Sequence, residues 1–568
     1  MRFARKRKRI HEIAPDEIFL DSSNLPDHES SQFEGRVVPS LSRRSIFGFG
    51  VVFAAVAIIF GGRAFALQVA QGPTFAEISR DNTLVSSIAF ATRGLIIDRN
   101  GKEIAWNEAQ PQTIDGTSAT STYALRKYTE LPGFSNLIGF VQYPKADQTG
   151  TWWREDYTGM AGIELVYNAS LEGVNGSTMV ETDARKKVER ENIVSPPQSG
   201  SDLKLSIDAN LQSELYKVLT SGAQVDGFVG GAGVIMDVST GQLLAITSFP
   251  QYDNQAFTDG NSAMVHADLN DSATPLLDRA ISGLYAPGSI VKPIFAAGAL
   301  DAGIVTPQTV IVSTGAISVP NQFDPTHPSV FHDWTVHGPI DMETAIAVSS
   351  DEYFYQIGGG YHDQKGLGIS NLDKYAAMFG LGTTTGINLP GEVAGNIPSP
   401  QWKANVFPGE PWFLGDTYHT AIGQYGFQIT PLQAVRYASA IGNGGKLLTP
   451  QLLASSTPQF TQIPIPDSDL AVVRAGMRLA VTSSRKDATD NVMNIPGIDI
   501  AGKTGTAQIG AHNQWVNSWA IGFWPAENPK YAFAVVLEKG PSTETFNAAD
   551  SVAPFFSWLV ANHPEYAN

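Results

Sequence analysis

Ser289 and Lys292 stand three residues apart in Tyr285-Ala286-Pro287-Gly288-Ser289-Ile290-Val291-Lys292-Pro293. Pro-Gly predicts a turn, and Ser289 is placed to cap a helix on which it would share a face with Lys292. A hydroxyl becomes a nucleophile when a base takes its proton, and Lys292 is placed to do so. Only about one ordinary lysine in 2,500 is neutral at pH 7, so a working base needs a pKa lowered by roughly 3 units, about 4 kcal/mol. Burial and a second cation can supply that. Alone, Ser-x-x-Lys equally describes a capped helix with a solvated lysine. A second group is Ser349-Ser350-Asp351, followed by Tyr353-Phe354-Tyr355. Ser349 could relay a proton and Asp351 could orient Lys292 or a substrate; a polar turn at a helix end has the same composition. The third is Ala501-Gly502-Lys503-Thr504-Gly505-Thr506-Ala507. A strand edge carrying Lys503, the Thr504 and Thr506 hydroxyls and the bare backbone of Gly505 suits an extended peptide. The overlapping Gly497-to-Thr504 stretch also satisfies the phosphate-loop pattern G-x-x-x-x-G-K-T, which requires a strand before it and a helix after it. Pro496 in front, and Gly505, Gly510 and a strand-like segment behind, weigh against that reading.

These groups need a scaffold, and the 568-residue chain is long enough for several domains with buried cores. Arg93 to Ile97 and Lys102 to Ala105 flank Asn100-Gly101, a hairpin signal. Gly233 to Val238 and Gln242 to Ile246 repeat that grammar around Ser239-Thr240-Gly241. Ser195-Pro196-Pro197-Gln198-Ser199-Gly200-Ser201 reads as a linker, and Asp208 as the cap of a following helix. Asn517–Phe523 and Tyr531–Leu537 are expected to be paired strands, and Pro554–Ala561 a terminal helix. The mixture predicts an α+β chain.

Charge and composition narrow the class. The net charge is −17, which argues against a dedicated nucleic-acid binder, and the absence of cysteine removes disulfides and thiol chemistry. Residues 1–44 carry nine Lys or Arg, five of them in Arg5-Lys6-Arg7-Lys8-Arg9. Ser45 to Gly62 is uncharged and apolar, and approaches the ~20 residues of a spanning helix if Arg63 snorkels and Ala64 to Ala70 continue it. Arg43 and Arg44 before it predict a cytoplasmic N-terminus and an exported bulk. The rival is a cleaved signal peptide, with Ala64-Phe65-Ala66 as its site. The expected segments are a basic tail over 1–44, a membrane anchor over 45–67, a non-catalytic domain over 68–200 and a catalytic domain over 201–568.

In order and spacing, 60 and 154 residues apart, the three groups resemble those of the class B penicillin-binding proteins, serine D,D-transpeptidases of the bacterial cell wall. Arg93 to Gly101 and Gly159-Met160-Ala161-Gly162-Ile163-Glu164 resemble the family's pedestal, and Pro275 to Ala280, Ala421 to Gln424 and Thr430 to Gln433 also fit. Ser-x-Asp, Phe331-His332-Asp333-Trp334 and no further C-terminal repeat are similar to the elongation-type (penicillin-binding protein 2) subgroup; the division type is the alternative. The resemblance implies an elongated pedestal and a catalytic domain built on an antiparallel sheet flanked by helices. It implies that Ser289 attacks the penultimate D-Ala carbonyl of a stem pentapeptide, with Lys292 as base, Ser349 as relay and Lys503 near the substrate carboxylate. The backbone N–H groups of Ser289 and Thr506 would hold the oxyanion, and β-lactams would acylate Ser289. The implied partner is a polytopic glycosyltransferase of the shape, elongation, division and sporulation (SEDS) family. No cofactor is implied. Some elongation-type relatives hold zinc near the second motif; here His327, His332, Asp333 and His337 lie close together, but cysteine is absent, and no metal is expected. Asp351 poses a physical problem: an ionised carboxylate cannot donate to a substrate carbonyl and holds a nearby lysine charged. It is protonated, or faces the incoming amine, or is offset by Lys503. A D,D-carboxypeptidase or β-lactam sensor, and a silent scaffold for a membrane partner, are the competing functions.

Overall fold

The computed structural model describes residues 42–81, 84–109, 123–148, 151–182, 188–321, 324, 326–543 and 547–567. The basic run Arg5 to Arg9, and the tail up to residue 41, lie outside them. The chain divides into two units, Met1–Leu84 and Val85–Asn568. In the first, helix α1 (Arg43–Phe65) opens with the Ser42 hydroxyl accepting from the Ser45 amide. It passes through one π-helical turn, Ala66–Ala70, before α2 (Gly72–Asp81). Arg43–Ala70 is helical over 28 residues and apolar enough to cross a membrane. The expected continuation past Arg63 is therefore present.

The second unit begins with the non-catalytic part. Strand β1 (Leu84–Ala89) edges a three-stranded sheet, and β2 (Ile96–Ile97), β3 (Glu103–Glu108) and β4 (Leu125–Tyr128) lie in a four-stranded one. The expected hairpin is β2–β3, antiparallel. The carboxylate of Asp98 organises its turn, accepting from the amides of Asn100 and Lys102 on one oxygen and from that of Ala209 on the other. The segments around Arg93 and Glu164 meet in a buried triad: Glu164 accepts from Arg93 Nε and Arg126 Nε, both at 2.7 Å, with all three side chains fully buried. Breaking such a group on one side costs about 3–5 kcal/mol, because a charge is left unpaired. Strands β5 (Gly176–Thr182) and β6 (Val188–Ser195) complete the first sheet. The stretch 195–201 is more tightly held than a free linker, since Gly200 donates to Thr92 and Ser201 to Ser170. Beyond it β7 (Leu203–Lys204) pairs in parallel with β2.

Asp208 caps α3 (Ala209–Val225), as its sequence predicts. The catalytic part is built on a five-stranded sheet in the order β9-β8-β12-β11-β10, every pair antiparallel. The strands are β8 (Gly230–Asp237), β9 (Leu243–Phe249), β10 (Ala501–Ile509), β11 (Trp515–Trp524) and β12 (Tyr531–Pro541). Both faces are covered, which explains their near-continuous apolar runs. Val234, Met236, Ala534 and Val536 face one core; Ile235, Val535 and Leu537 face the other, with Leu211, Leu215 and Leu219 of α3. The terminal helix α4 (Ala548–Asn562) starts earlier than expected. Asn547 and Asp550 form a capping box that sets the start, and Pro554 sits inside the helix.

Candidate active site

Ser289 lies in a short 3-10 turn, Gly288–Val291, that leads into the helix Lys292–Asp301. The expectation that Ser289 caps this helix is not met: Pro287 opens the turn, Val291 precedes the helix, and neither end uses the Ser289 hydroxyl. In a 3-10 turn residues i and i+3 eclipse, so Ser289 and Lys292 still share a side. The turn is pinned by its backbone. Trp519 Nε1 donates to Ala286 O at 2.9 Å, Tyr437 OH to Ile290 O at 2.9 Å, and the Gly288 amide to Gly423 O at 3.0 Å. Gly288 takes φ +56°, and a Cβ there would lie 2.7 Å from Thr506 O. Only glycine lets the serine turn and strand β10 approach so closely.

The helix behind Ser289 is buried from Lys292 to Leu300, so the lysine ammonium is carried into the core. Fully buried, Lys292 Nζ donates to Ser349 O at 2.6 Å and Asp351 Oδ1 at 2.6 Å, with Ser349 Oγ at 3.4 Å and the Phe354 ring centroid at 5.4 Å. None of its hydrogen bonds among the described residues goes to Ser289. Asp351 thus touches Lys292 directly, 2.6 Å from its ammonium nitrogen.

Ser349 sits between the helices Met342–Ala347 and Asp351–Gly359 with φ +57°. A non-glycine residue there costs of order 1–3 kcal/mol, which its surroundings must offset. Ser350 caps the second helix through the Tyr353 amide. Ser349 Oγ is 2.8 Å from Lys503 Nζ, which also donates to Thr504 O at 2.7 Å. Burial pushes the Lys503 ammonium down to about 7; Asp490 opposes this, Lys292 adds to it and Asp351 opposes it.

Lys503, Thr504, Gly505 and Thr506 lie on β10, the edge strand of the large sheet. Thr506 is exposed and Thr504 half-buried. A strand runs through Ala501–Ile509 and no helix follows Thr504, which overturns the phosphate-loop reading.

One polar group behind the motifs escapes inspection of the sequence, and another is paired differently from its reading there. Asp490, buried, accepts from the Thr504 amide at 3.1 Å, and its other oxygen has no hydrogen-bond partner. Nothing local in the sequence marks it. Asp333 and His337 were singled out as candidate ligands, and they do meet, Nε2 to Oδ1 at 3.5 Å. However, His337 Nδ1 faces Asp487 at 2.8 Å, His327 pairs with Asp324, and His332 is exposed. Among the described residues these side chains do not converge on one cation position.

The comparisons with known proteins bear on the family and the fold. A family model described as the penicillin binding protein transpeptidase domain matches residues 231–559, and one described as the penicillin-binding protein dimerisation domain matches 112–205. The peptidoglycan D,D-transpeptidase MrdA of Salmonella typhimurium is 33% identical, covering 88% of this chain and 93% of its own. The crystal structure of Pseudomonas aeruginosa PBP2 in complex with WCK 5153 superposes with a TM-score of 0.66 at 30% identity, over 85% of this chain and 100% of that one. Helicobacter pylori PBP2 in its complex with MreC gives 0.67 at 25% identity, over 84% and 99%.

Proposed function

This chain belongs to the class B penicillin-binding proteins of the PBP2 type, and from that premise we propose how its residues carry out peptidoglycan D,D-transpeptidation in cell-wall elongation. The observation that carries the assignment is the convergence of Lys292, Ser349, Asp351 and Lys503, 60 to 154 residues apart from one motif to the next, into one hydrogen-bonded group behind Ser289. Ser289 Oγ attacks the penultimate D-Ala carbonyl of a stem peptide lying along β10. The tetrahedral oxyanion is held by the N–H groups of Ser289 and Thr506. Collapse expels the terminal D-Ala with a proton on its amine, and the amine of a second stem then displaces Ser289 from the ester.

The base is prepared by the two lysines together. Near pH 7 Lys503 is partly neutral. A neutral Lys503 accepts the proton of Ser349 Oγ while that oxygen takes one from Lys292. Lys292 is left neutral to receive the Ser289 proton, and Lys503 is left charged, facing the substrate carboxylate. Asp351, 2.6 Å from Lys292, then stabilises the ammonium that forms during attack. Substrate binding favours this redistribution, since a carboxylate beside Lys503 stabilises its charged form.

We place the catalytic domain at 201–568, the non-catalytic domain at 68–200 and the anchor at 45–67, with residues 1–44 cytoplasmic and the remainder extracytoplasmic. The expected partners are a SEDS-family glycosyltransferase and, by likeness to the Helicobacter complex, an MreC-like protein. Covalent labelling by a fluorescent penicillin tests the nucleophile. Wild-type chain is expected to label and Ser289→Ala to lose the label while unfolding at the same temperature. Persistent labelling in the variant would place the acyl group elsewhere. Supplying an acceptor amine alongside a stem pentapeptide then separates transfer from hydrolysis, with cross-linked product expected to dominate.

A further inference from the structure

The turn that presents Ser349 and Asp351 is held from behind by side chains that the reaction does not touch. Asp333 is buried beneath the start of the helix Asp351–Gly359. Its Oδ2 accepts from Ser350 Oγ at 2.6 Å and from the Glu352 amide at 2.9 Å, so it grips the chain on either side of Asp351. Its Oδ1 accepts from the Trp334 amide at 2.8 Å. Next in line is His337, whose side chain is fully buried between Asp333 at 3.5 Å and Asp487 at 2.8 Å. Asp487 is held in turn by Arg485, with Nε on one oxygen at 2.9 Å and a terminal nitrogen on the other at 2.7 Å. The same guanidinium donates to the His337 carbonyl at 3.2 Å.

Basic and acidic groups alternate along this chain: Arg485, Asp487, His337, Asp333. Burial pulls His337 toward neutrality, but the two flanking carboxylates outweigh it and hold the ring above its usual range. Burial likewise raises Asp333, yet the His337 ring 3.5 Å away, the Ser350 hydrogen bond and the nearby Lys292 charge hold it at about 2. The line runs from the half-buried Arg485 and Asp487 inward to the fully buried His337 and Asp333, each group beside one of opposite type, which is what makes the buried end tolerable. The segment that supplies Arg485 and Asp487 also reaches the third motif. Thr489 donates to Ala347 O at 3.3 Å, just before Ser349, and Asp490 accepts from Thr504, next to Lys503.

We propose that His337 is a positioning residue for acylation: the chain Arg485–Asp487–His337–Asp333 fixes the start of the helix that carries Asp351, and the 485–490 segment sets that turn in register with Lys503. This rests on the reading of Ser289 as nucleophile. A filler role would cost stability alone. A positioning role costs reaction rate in molecules that remain folded.

The test uses the full chain in detergent, with His337→Ala, His337→Gln and Asp487→Asn. Acylation by a fluorescent penicillin is followed over a range of concentrations, so that the saturating rate and the non-covalent affinity are read separately. Hydrogen exchange is measured over residues 346–356. The saturating rate per folded molecule is expected to fall about tenfold to a hundredfold in His337→Ala, the size of effect that misplacement by an ångström produces. Affinity should change little, and His337→Gln, which can still donate to one carboxylate, should recover part of the loss. The Glu352 and Tyr353 amides should exchange faster in His337→Ala and Asp487→Asn. A saturating rate per folded molecule equal to wild type overturns the proposal, whatever happens to the melting temperature. If wild-type chain takes no label, the Ser289 reading fails instead, and the exchange data decide the brace: unchanged protection at Glu352 overturns it.

Discussion

Burial brings the titration of Lys503 into the neutral range. Its burial against Lys292 brings it down to about 7 despite Asp490 and Asp351, so below that pH it is cationic and above it increasingly neutral. If the cation receives the substrate carboxylate, the non-covalent dissociation constant for a penicillin should rise as pH passes upward through about 7. Lys503→Arg, charged throughout, should give a flatter profile. Affinities from acylation kinetics between pH 5.5 and 8.5 decide this, and a level wild-type profile would remove Lys503 from carboxylate binding. The same shift has a sign in stability. An unfolded lysine titrates near 10.4, so between about 7 and 10.4 the unfolded chain binds more protons than the folded one. This group therefore makes stability rise with pH across that window and contributes no slope outside it.

At the scale of elements, the site is an edge strand laid against a turn. Gly505 is, with Gly288, a point of close approach: a Cβ there would lie 2.8 Å from Pro287 O and 2.9 Å from Ile290 Cγ2. Gly505→Val should drive β10 away from the serine turn, at a cost in stability of about 1–3 kcal/mol typical of overpacking. Acylation should fall by much more than that loss explains, because the turn, the strand and the oxyanion donors separate together. Denaturant unfolding beside labelling kinetics checks both; a normal rate per folded molecule would show that the contact is not needed for chemistry. The three motifs were legible in the sequence because reactive groups allow few substitutes and keep fixed local spacing. The β8–β9 hairpin and the Asp208 cap were legible for a similar reason, since turn and cap chemistry is local. The capping box at Asn547 is equally local, but Pro554, a residue favoured in the first turn of a helix, is a competing start signal. The chain through His337 was not legible, because Asp487 is 150 residues away and only the folded core brings the two together. Asp333 and His337 stood out in the sequence only as an acid and an imidazole close together, with no metal expected, because the partner of His337 comes from far along the chain. Ser289 looked like a cap because the sequence does not distinguish a 3-10 turn from the first turn of an α-helix.

The molecule as a whole divides by solvent. In α1 the side chains of Phe47, Phe53, Ile58, Ile59 and Phe60 are each at least 69% exposed, an apolar surface that fits a membrane-spanning helix. Val85–Asn568 closes two large cores on the two faces of its main sheet and pairs its buried Glu164 with Arg93 and Arg126 internally. Membrane attachment and catalytic competence should therefore separate at the start of β1. A chain beginning at Thr83 is expected to stay in solution without detergent, to unfold cooperatively, and to take up fluorescent penicillin at the rate of the full chain, whereas the full chain should partition with membranes. Sedimentation and labelling of the two side by side would show it. The informative failure is a truncated chain that labels normally but aggregates. Val174, Ile193 and Val194 are each more than 60% exposed in or beside the β1–β5–β6 sheet. They would then be the surface that needs cover, and replacing Ile193 and Val194 with threonine should restore solubility without altering the labelling rate.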